Sequence, residues 1–403
     1  MKKEVLFILI IVFSNCSKLD VTQEILPEIV SITPLSIETN LPVINIEVDE
    51  QEFLKMTANP NSKIEIEGKL DIYERKNEKL TDKSITIEIK GRTSVGTNFP
   101  VKSMEIIPDE AIETRVFTDL STQSLLQNHN LDSLKIFRLR NSGNDFGITM
   151  IKDLAYSQYA RDLKLNLELM YGTSVQVFIN RKYYGLVNLR TENNVLGISN
   201  LLNVPSSDIC ILKVKNLQTE NLEFHHGDKS ASIAILEAID IEDFEAIRNL
   251  VDEDNFIDYI IYQDYIGNSD WHYNIALYKT GNKKFRFFLF DLDHAGNVSK
   301  FPLLPKLEFI TADIAKIYRA FQAKNGFIEH LENRKEELYN RFSVDDFNNV
   351  VNQLANNIEN DIPFLIAKHG VPESIFRWKY NIEQLKRDFE KRDYYLRKKY
   401  NLD

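Results

Sequence analysis

The sequence predicts an α+β protein whose strands lie mainly in the N-terminal half and whose helices lie mainly in the C-terminal half. Residues 63–67 and 85–90 alternate polar and apolar side chains, which is the period of a half-buried strand. After residue 215 the apolar residues instead recur with the spacing of amphipathic helices. The composition, 43% hydrophobic and 27% charged over 403 residues, is that of a globular protein.

The N-terminal half carries most of the predicted strands and one clear helix. The helix is predicted over residues 150–161, and residues 180–182 (NRK) are typical of a hairpin turn between the last two strands. Cys210 lies in an apolar strand and is predicted to be a buried core residue. The strands are predicted over residues 43–48, 63–67, 85–90, 102–107, 135–140, 174–180, 183–190 and 209–212.

The C-terminal half is predicted to be helical, with two short strands over residues 275–279 and 284–290. Ser343, followed by two acidic residues, is a good helix N-cap. This order of elements predicts a strand-rich N-lobe over residues 42–215 and a helical C-lobe over residues 216–403, with a ligand between them. The helices are predicted over residues 230–239, 241–250, 254–266, 312–322, 326–339, 344–359 and 374–400.

The N-terminus has the features of an export signal. Lys2 and Lys3 precede an unbroken apolar run over residues 5–13, which is too short to span a membrane as a helix. Cys16 comes three residues after the end of this run and resembles the acylated cysteine of a bacterial lipoprotein. We therefore expect a signal peptide over residues 1–16, lipidation at Cys16, and a tether over residues 17–41. The alternative is an ordinary secretory signal with a chance cysteine.

These features predict a location in the bacterial cell envelope, with the chain lipid-anchored outside the cytoplasm at the outer membrane or cell surface. The net charge of −11 argues against a generally basic surface, so we expect no nucleic-acid partner. Two cysteines cannot form a disulfide framework. Only 14 residues are glycine, so each is a candidate for a special backbone requirement.

Two polar segments in the C-terminal half carry the strongest chemical signal. Residues 264–274 (DYIGNSDWHYN) follow a predicted helix, and residues 287–296 (FFLFDLDHAG) place two acids after an apolar strand. Carboxylate and carboxamide oxygens suit Mg²⁺ or Mn²⁺ held against phosphate. The alternative for each segment alone is a helix cap or a solvated loop.

Three phosphate-handling chemistries compete for this pattern. A haloacid-dehalogenase phosphatase requires a parallel sheet after its acidic motif, and only helical segments follow here. The phosphate-binding sequence of P-loop enzymes is missing. A protein-kinase-like enzyme fits best, because an Asp, then an Asn, then a strand ending in Asp is the kinase order. Residues 90–103 (KGRTSVGTNFPVKS) then supply a glycine loop and a lysine.

Four stretches of the chain resemble the CotH kinase family, atypical protein kinases that are secreted or associated with spore coats. They are residues 91–103, residues 177–186 (VFINRKYYGL) with Glu192 soon after, residues 268–274 (NSDWHYN) and residues 290–293 (FDLD), in the family's order. The resemblance covers most of residues 41–300. It implies a bilobal protein-kinase-like fold.

The resemblance also implies roles for individual residues, with ATP and Mg²⁺ or Mn²⁺ as cofactors. Lys102 would contact the nucleotide phosphates and pair with Glu192. Asp270 would accept the proton of the substrate hydroxyl. The remaining roles are phosphate binding by Arg92 and Ser94 and metal binding by Asn274, Asp291 and Asp293.

The function predicted in this way is that of an exported atypical protein kinase. It would transfer phosphate from ATP to Ser or Thr of a secreted or surface protein, and its lipid would hold it to the membrane. The alternative is a non-catalytic, kinase-like surface lipoprotein that acts as a binding or scaffold module. An exported protein meets little ATP, which is the argument for this alternative.

Overall fold

The computed structural model describes residues 26–28, 32–73, 79–91, 94–96, 98–117, 131–215, 220–298, 307 and 312–401. Within them the protein is a mixed α+β fold, as the sequence predicts. The signal segment and Cys16 lie outside the described residues, as do residues 17–25 and 29–31 of the predicted tether.

Seven strands of the N-terminal half form a closed barrel in the order β1-β2-β3-β4-β7-β10-β9. Parallel pairing of β1 with β9 closes it, and the other neighbouring strands are antiparallel. The strands are β1 (Val43–Val48), β2 (Glu65–Tyr73), β3 (Lys79–Ile89), β4 (Met104–Pro108), β7 (Phe137–Arg140), β9 (Gly172–Ile179) and β10 (Lys182–Arg190). Two further strands, β5 (Ile112–Glu113) and β6 (Ser133–Leu134), pair with each other.

Alternation along β7 and β10 separates an apolar inner face from a polar outer face. Leu139 pairs with Leu189, and both side chains are fully buried in the barrel core. The residues on either side point the opposite way, because successive side chains of a strand alternate. Arg138 and Arg140 of β7 therefore lie on the outer face, opposite Arg190 and Asn188 of β10.

A second, five-stranded sheet in the order β12-β11-β13-β14-β8 lies between the barrel core and the helices. Phe287 packs into the helical cluster and Phe288 into the barrel cluster, so the sheet is buried on both faces. Its strands are β8 (Glu168–Leu169), β11 (Ile209–Val214), β12 (Leu222–Gly227), β13 (Ala276–Thr280) and β14 (Arg286–Leu289). Because β8 and β11 come from the N-terminal half, the proposed lobe boundary at residue 215 does not coincide with a boundary between sheets.

The helices surround the outer face of this sheet. Several begin at a polar cap, among them the predicted cap Ser343, whose Oγ accepts a hydrogen bond from Asp346 N at 3.2 Å. The described helices are α1 (Glu50–Ala58), α2 (Lys152–Asp162), α3 (Val195–Leu202), α4 (Lys229–Asp240), α5 (Phe244–Leu250), α6 (Glu253–Ile266), α7 (Asp313–Gln322), α8 (Phe327–Arg341), α9 (Val344–Ile358), α10 (Ile362–His369) and α11 (Ile375–Tyr400). None of the helices in the described part of the chain is both long and apolar enough to cross a bilayer.

The structure confirms each strand and helix predicted above, with shifted ends. The sequence did not predict α1, α3 or α10. The latter two are eight-residue helices rich in apolar side chains, and such short runs have no clear helical period. Residues 32–41 of the predicted tether are packed against the barrel, with Ile37 and Leu41 both buried.

The buried carboxyl of Asp361 lies beneath this segment. Its Oδ1 accepts a 2.7 Å hydrogen bond from Gln176 Nε2, and Tyr183 Oη donates to Gln176 Oε1 at 2.8 Å. Burial raises the pKa of Asp361 to about 6, although hydrogen bonds from Thr39 and Gln176 oppose the shift. The carboxyl of Asp361 therefore binds its proton more tightly in the folded state than in the unfolded state. As a consequence, the free energy of unfolding falls as the pH rises from about 4 to about 6.

We predict that Asp361→Asn stabilises the protein at pH 7.5 by about 1–3 kcal/mol, because a neutral amide does not carry the buried charge. Urea denaturation at pH 4 and pH 7.5 measures this. The gain should disappear at pH 4, where the folded protein already holds the proton. Asp240→Asn, at an exposed position, is the control and should change neither value. A loss of stability in Asp361→Asn at pH 7.5 would contradict the prediction.

Candidate active site

The two acidic segments noted in the sequence are adjacent in the structure. Helix α6 ends at Gly267, which has a φ of 58°, and a Cβ there would lie 2.6 Å from Asn297 O. Gly296 N donates to Ile266 O at 2.8 Å, Asn297 N to Gly267 O at 3.2 Å and Ser269 N to His294 O at 3.3 Å. These backbone bonds hold the segment before Asp270 against the segment after Asp293.

Asp270 and Asn274 form a hydrogen-bonded pair on the first segment. Asn274 Nδ2 donates to Asp270 Oδ2 at 3.1 Å and to Asp270 O at 3.3 Å. Both side chains are half-buried. The amide nitrogen of Asn274 is thus turned toward Asp270, which leaves Asn274 Oδ1 and Asp270 Oδ1 without a partner among the described residues.

Asp291 and Asp293 on the second segment share one arginine. Arg140 Nη2 donates to Asp291 Oδ1 and, at 2.9 Å, to Asp293 Oδ2, which also accepts from Asn144 N at 2.9 Å. The Asp293 side chain is only 3% exposed, whereas that of Asp291 is 27% exposed. Burial and the neighbouring Asp291 charge raise the pKa of Asp293 to about 6, against the opposing effect of Arg140.

A second layer of charges supports Arg140 from below. Asp153 Oδ2 lies 3.7 Å from Arg140 Nε and 2.9 Å from Arg190 Nη1, and Asp153 Oδ1 accepts from Leu292 N at 3.0 Å. Burial favours the neutral acid, but Arg190 and Arg140 hold the pKa of Asp153 below its usual value. The result is an alternating series of buried charges from Asp291 and Asp293 through Arg140 and Asp153 to Arg190, here called the charge ladder.

The glycine loop is tied to the same place by Asn141, the residue after Arg140. Its Nδ2 donates to Ser94 O at 3.0 Å and to Val101 O at 2.7 Å, and its Oδ1 accepts from Ser103 Oγ at 2.9 Å. Ser94 therefore lies close to the charge ladder. Arg92, the other predicted phosphate-binding residue of this loop, lies outside the described residues.

Lys102 and Glu192 do not form the ion pair that the resemblance implies. Lys102 Nζ donates to Gly96 O at 2.6 Å, and burial lowers the pKa of its ammonium. Glu192 is paired instead with Arg138, at 2.5 Å from Nε and 3.0 Å from Nη2. Arg138 can reach Glu192 because it pairs across the two strands with Arg190, and Glu192 follows Arg190 by two residues in the chain.

A different lysine, Lys213, lies beside Glu192. Its Nζ donates to Asn193 Oδ1 at 2.9 Å, and its strand pairs Lys213 with Ala276, two residues after Asn274. Burial lowers the pKa of Lys213 to about 8, an effect that Glu192 partly offsets. Lys213 thus places a half-buried cation beside Glu192 and Asn193, on the strand that pairs with the one following Asn274.

The oxygen donors on the two acidic segments are of the type that a hard divalent cation prefers. No group of three or more His, Cys, Asp or Glu side chains is placed to hold a metal anywhere in the part of the chain that the structure describes. Asn274 Oδ1 and Asp291 Oδ2 are nevertheless oxygens of the preferred type, and neither is taken by the hydrogen bonds described above. Asp291 and Asn274 would hold the ion, with Asp293 behind them.

Sequence reasoning missed six residues of this site. They are Arg138, Arg140, Asn141, Asp153, Arg190 and Lys213. A signal for two of them was present, because residues 137–140 read Phe-Arg-Leu-Arg and predict a strand with both arginines on one face. Nothing local indicates that Asp153, within a helix, or Lys213, within an apolar strand, would meet them.

An acid beside an asparagine, a strand followed by further acids, and a glycine loop carrying a lysine are features that protein kinases place around nucleotide and metal. The family model described as CotH kinase protein matches residues 87–396, which is most of the chain. This protein therefore belongs to the CotH kinase family, and the resemblance drawn from the four motifs is confirmed. A search of the curated proteins finds no match to this chain.

Membership of this family indicates an atypical protein kinase, with a protein as substrate and, in general terms, with ATP and a divalent metal as cofactors. The α+β architecture described above is consistent with a kinase-like fold. The roles of individual residues remain predictions that rest on the geometry of the site.

We predict that Asn141→Ala releases the glycine loop. The substitution removes three side-chain hydrogen bonds that join residues 94–103 to the residue after β7. Because buried polar groups then lack partners, we expect the free energy of unfolding to fall by about 3 kcal/mol. Hydrogen exchange should rise in peptides covering residues 90–103.

The matched control is Asn200→Ala. Asn200 also makes side-chain hydrogen bonds to the backbone, accepting from Lys135 N and donating to Ser133 O, but these bonds do not involve the glycine loop. It should destabilise the protein without raising exchange in residues 90–103. Unchanged exchange in Asn141→Ala would show that the loop is held by other contacts.

Proposed function

We propose that this protein is an exported, lipid-anchored protein kinase that transfers the γ-phosphate of ATP to a Ser or Thr hydroxyl of a secreted or surface protein. The observation that carries the proposal is the convergence of three separate segments. Backbone bonds hold residues 266–269 against residues 294–297, and Arg140 and Asn141 join the second acidic segment to the glycine loop. Segments far apart in the chain thus bring polar side chains to one place, as a catalytic site requires.

In this proposal each residue acts by position or charge. Asp270, whose Oδ2 is held by Asn274, orients the acceptor hydroxyl and takes its proton at Oδ1. Lys102 and the loop residues Arg92 and Ser94 bind the phosphates.

The metal end of the site is formed by other groups. Asn274 Oδ1 and Asp291 hold Mg²⁺ or Mn²⁺, and Asp293 keeps Asp291 in place through their shared arginine. The metal, when bound, neutralises phosphate charge. Lys213 lies beside Glu192 and Asn193, where it adds a further cation to the phosphate side.

One observation favours the alternative of a non-catalytic binding module. Arg140 already binds both Asp291 and Asp293, and Glu192 binds Arg138 rather than Lys102. A kinase-like protein that had lost catalysis would tolerate both arrangements. The two functions differ in whether phosphate reaches a protein.

The test is phosphate transfer from γ-labelled ATP with Mg²⁺ or Mn²⁺, measured on the full chain purified in detergent with envelope proteins as acceptors. We expect labelled protein from the wild type and at least a hundredfold less from Asp270→Asn and Asp291→Asn, as is usual when a positioned acid–base group is lost. The matched control is Asp240→Asn, an exposed aspartate at the end of α4, which should label protein normally. Equal labelling by all four proteins would refute the kinase and favour the binding module.

The lipid anchor is a separate prediction. Cys16→Ala should move the protein from the membrane fraction to the soluble fraction and abolish incorporation of labelled fatty acid, because two acyl-type signals are needed for stable anchoring and both depend on this residue. Cys210→Ala, at a buried strand position, is the control and should remain in the membrane fraction. Membrane association of Cys16→Ala that withstands high salt would refute the anchor.

A further inference from the structure

At the metal end of the site, a guanidinium group of the protein already binds the acidic side chains. One nitrogen of Arg140, Nη2, donates to an oxygen of Asp291 and to an oxygen of Asp293. These are the two carboxylates that the proposed function assigns to the metal end of the site. A guanidinium and a divalent cation that bind the same carboxylate repel each other, even when they contact different oxygens.

Arg140 cannot leave this position freely. Its side chain is only 14% exposed, and Asp153, fixed by Arg190 and by Leu292 N, lies behind it. The loop at Gly143 covers it closely, since a Cβ on Gly143 would lie 2.8 Å from Arg140 Nη2 and 2.1 Å from Asp293 Oδ2. The arginine is therefore held against the acids from two sides.

The charges of the ladder explain how the fixed position of Arg140 affects cation binding. Three carboxylates, Asp153, Asp291 and Asp293, face two guanidinium groups, Arg140 and Arg190, which leaves a single net negative charge. A divalent cation alone would make this buried group of charges net positive, which is unfavourable. A cation that arrives with a nucleotide brings phosphate charges that restore the balance and offer the guanidinium a new partner.

We propose that Arg140 is a positioning residue that makes metal binding depend on the nucleotide: it competes with a free divalent cation for Asp291 and Asp293, and it admits the metal together with a nucleoside triphosphate. This inference rests on the proposed function, because it concerns the same site. By linkage, the nucleotide must also bind more tightly in the presence of the metal, by the same factor.

The test is Mn²⁺ binding to the full chain in detergent, measured by electron paramagnetic resonance with and without the non-hydrolysable ATP analogue AMP-PNP. In the wild type we expect AMP-PNP to tighten Mn²⁺ binding at least tenfold after correction for Mn²⁺ bound by the analogue itself. Arg140→Gln should bind Mn²⁺ alone about tenfold more tightly than the wild type and should lose most of the coupling. Arg140→Lys, which keeps the charge but cannot bridge both acids in the same way, should give intermediate values.

Arg286→Gln is the matched control, because Arg286 is also a partly buried arginine that contacts two acids, Asp252 at 2.7 Å and Glu168 at 3.9 Å, and neither acid belongs to the charge ladder. Its Mn²⁺ affinity without nucleotide should equal that of the wild type. The wild-type coupling remains a test even if Arg140→Gln does not fold. Absence of coupling, or Mn²⁺ binding by Arg140→Gln that is no tighter than wild type, overturns the inference.

The outcomes separate this inference from the proposed function. If the wild type transfers phosphate but the Mn²⁺ affinities of wild type and Arg140→Gln are equal, only the role of Arg140 is overturned. If neither protein binds Mn²⁺ even with AMP-PNP, and no phosphate is transferred, both the inference and the proposed kinase are overturned.

Discussion

The pairing of buried charges between Arg140 and the acids around it is the constraint on which the rest of the site depends. Arg140 lies on β7, Arg190 on β10 and Asp153 on α2, while Asp291 and Asp293 follow β14. Each of these charges is wholly or largely buried, and an unpaired buried charge costs several kcal/mol. The barrel, the helix and the second sheet are therefore joined at one point by oppositely charged groups that pair with one another.

This pairing also determines where the chemistry can take place. Asn141 follows Arg140 directly and holds the glycine loop, and the segment after Asp293 is bonded to the segment before Asp270. The proposed phosphate-binding, metal-binding and proton-accepting groups thus lie on segments fixed to a single rigid centre. Such fixing is what phosphoryl transfer requires, because its catalysis is mainly positioning and charge neutralisation.

Much of the fold and part of the site could be predicted from the sequence. The sequence predicted β7 as a strand but gave no role to its two arginines, whereas Asp270, Asn274 and Asp291 stood out as oxygen donors near the ends of buried elements. The ionic partners could not be predicted. Glu192 pairs with Arg138 rather than Lys102, because antiparallel pairing places β7 beside β10, while Lys102 is bonded to Gly96 O.

By itself the sequence determined the α+β class, the order of the elements, the membership of the CotH kinase family and the residue types available for chemistry. These follow from periodicity and from short motifs, which are local properties of the chain. Only the tertiary structure decided that Arg140 binds both Asp291 and Asp293, that Asp153 and Arg190 support it, and that Lys213 lies beside Glu192. The reason is that a buried charge is paired by whichever opposite charge the packing brings nearest, and that neighbour can lie more than a hundred residues away along the chain.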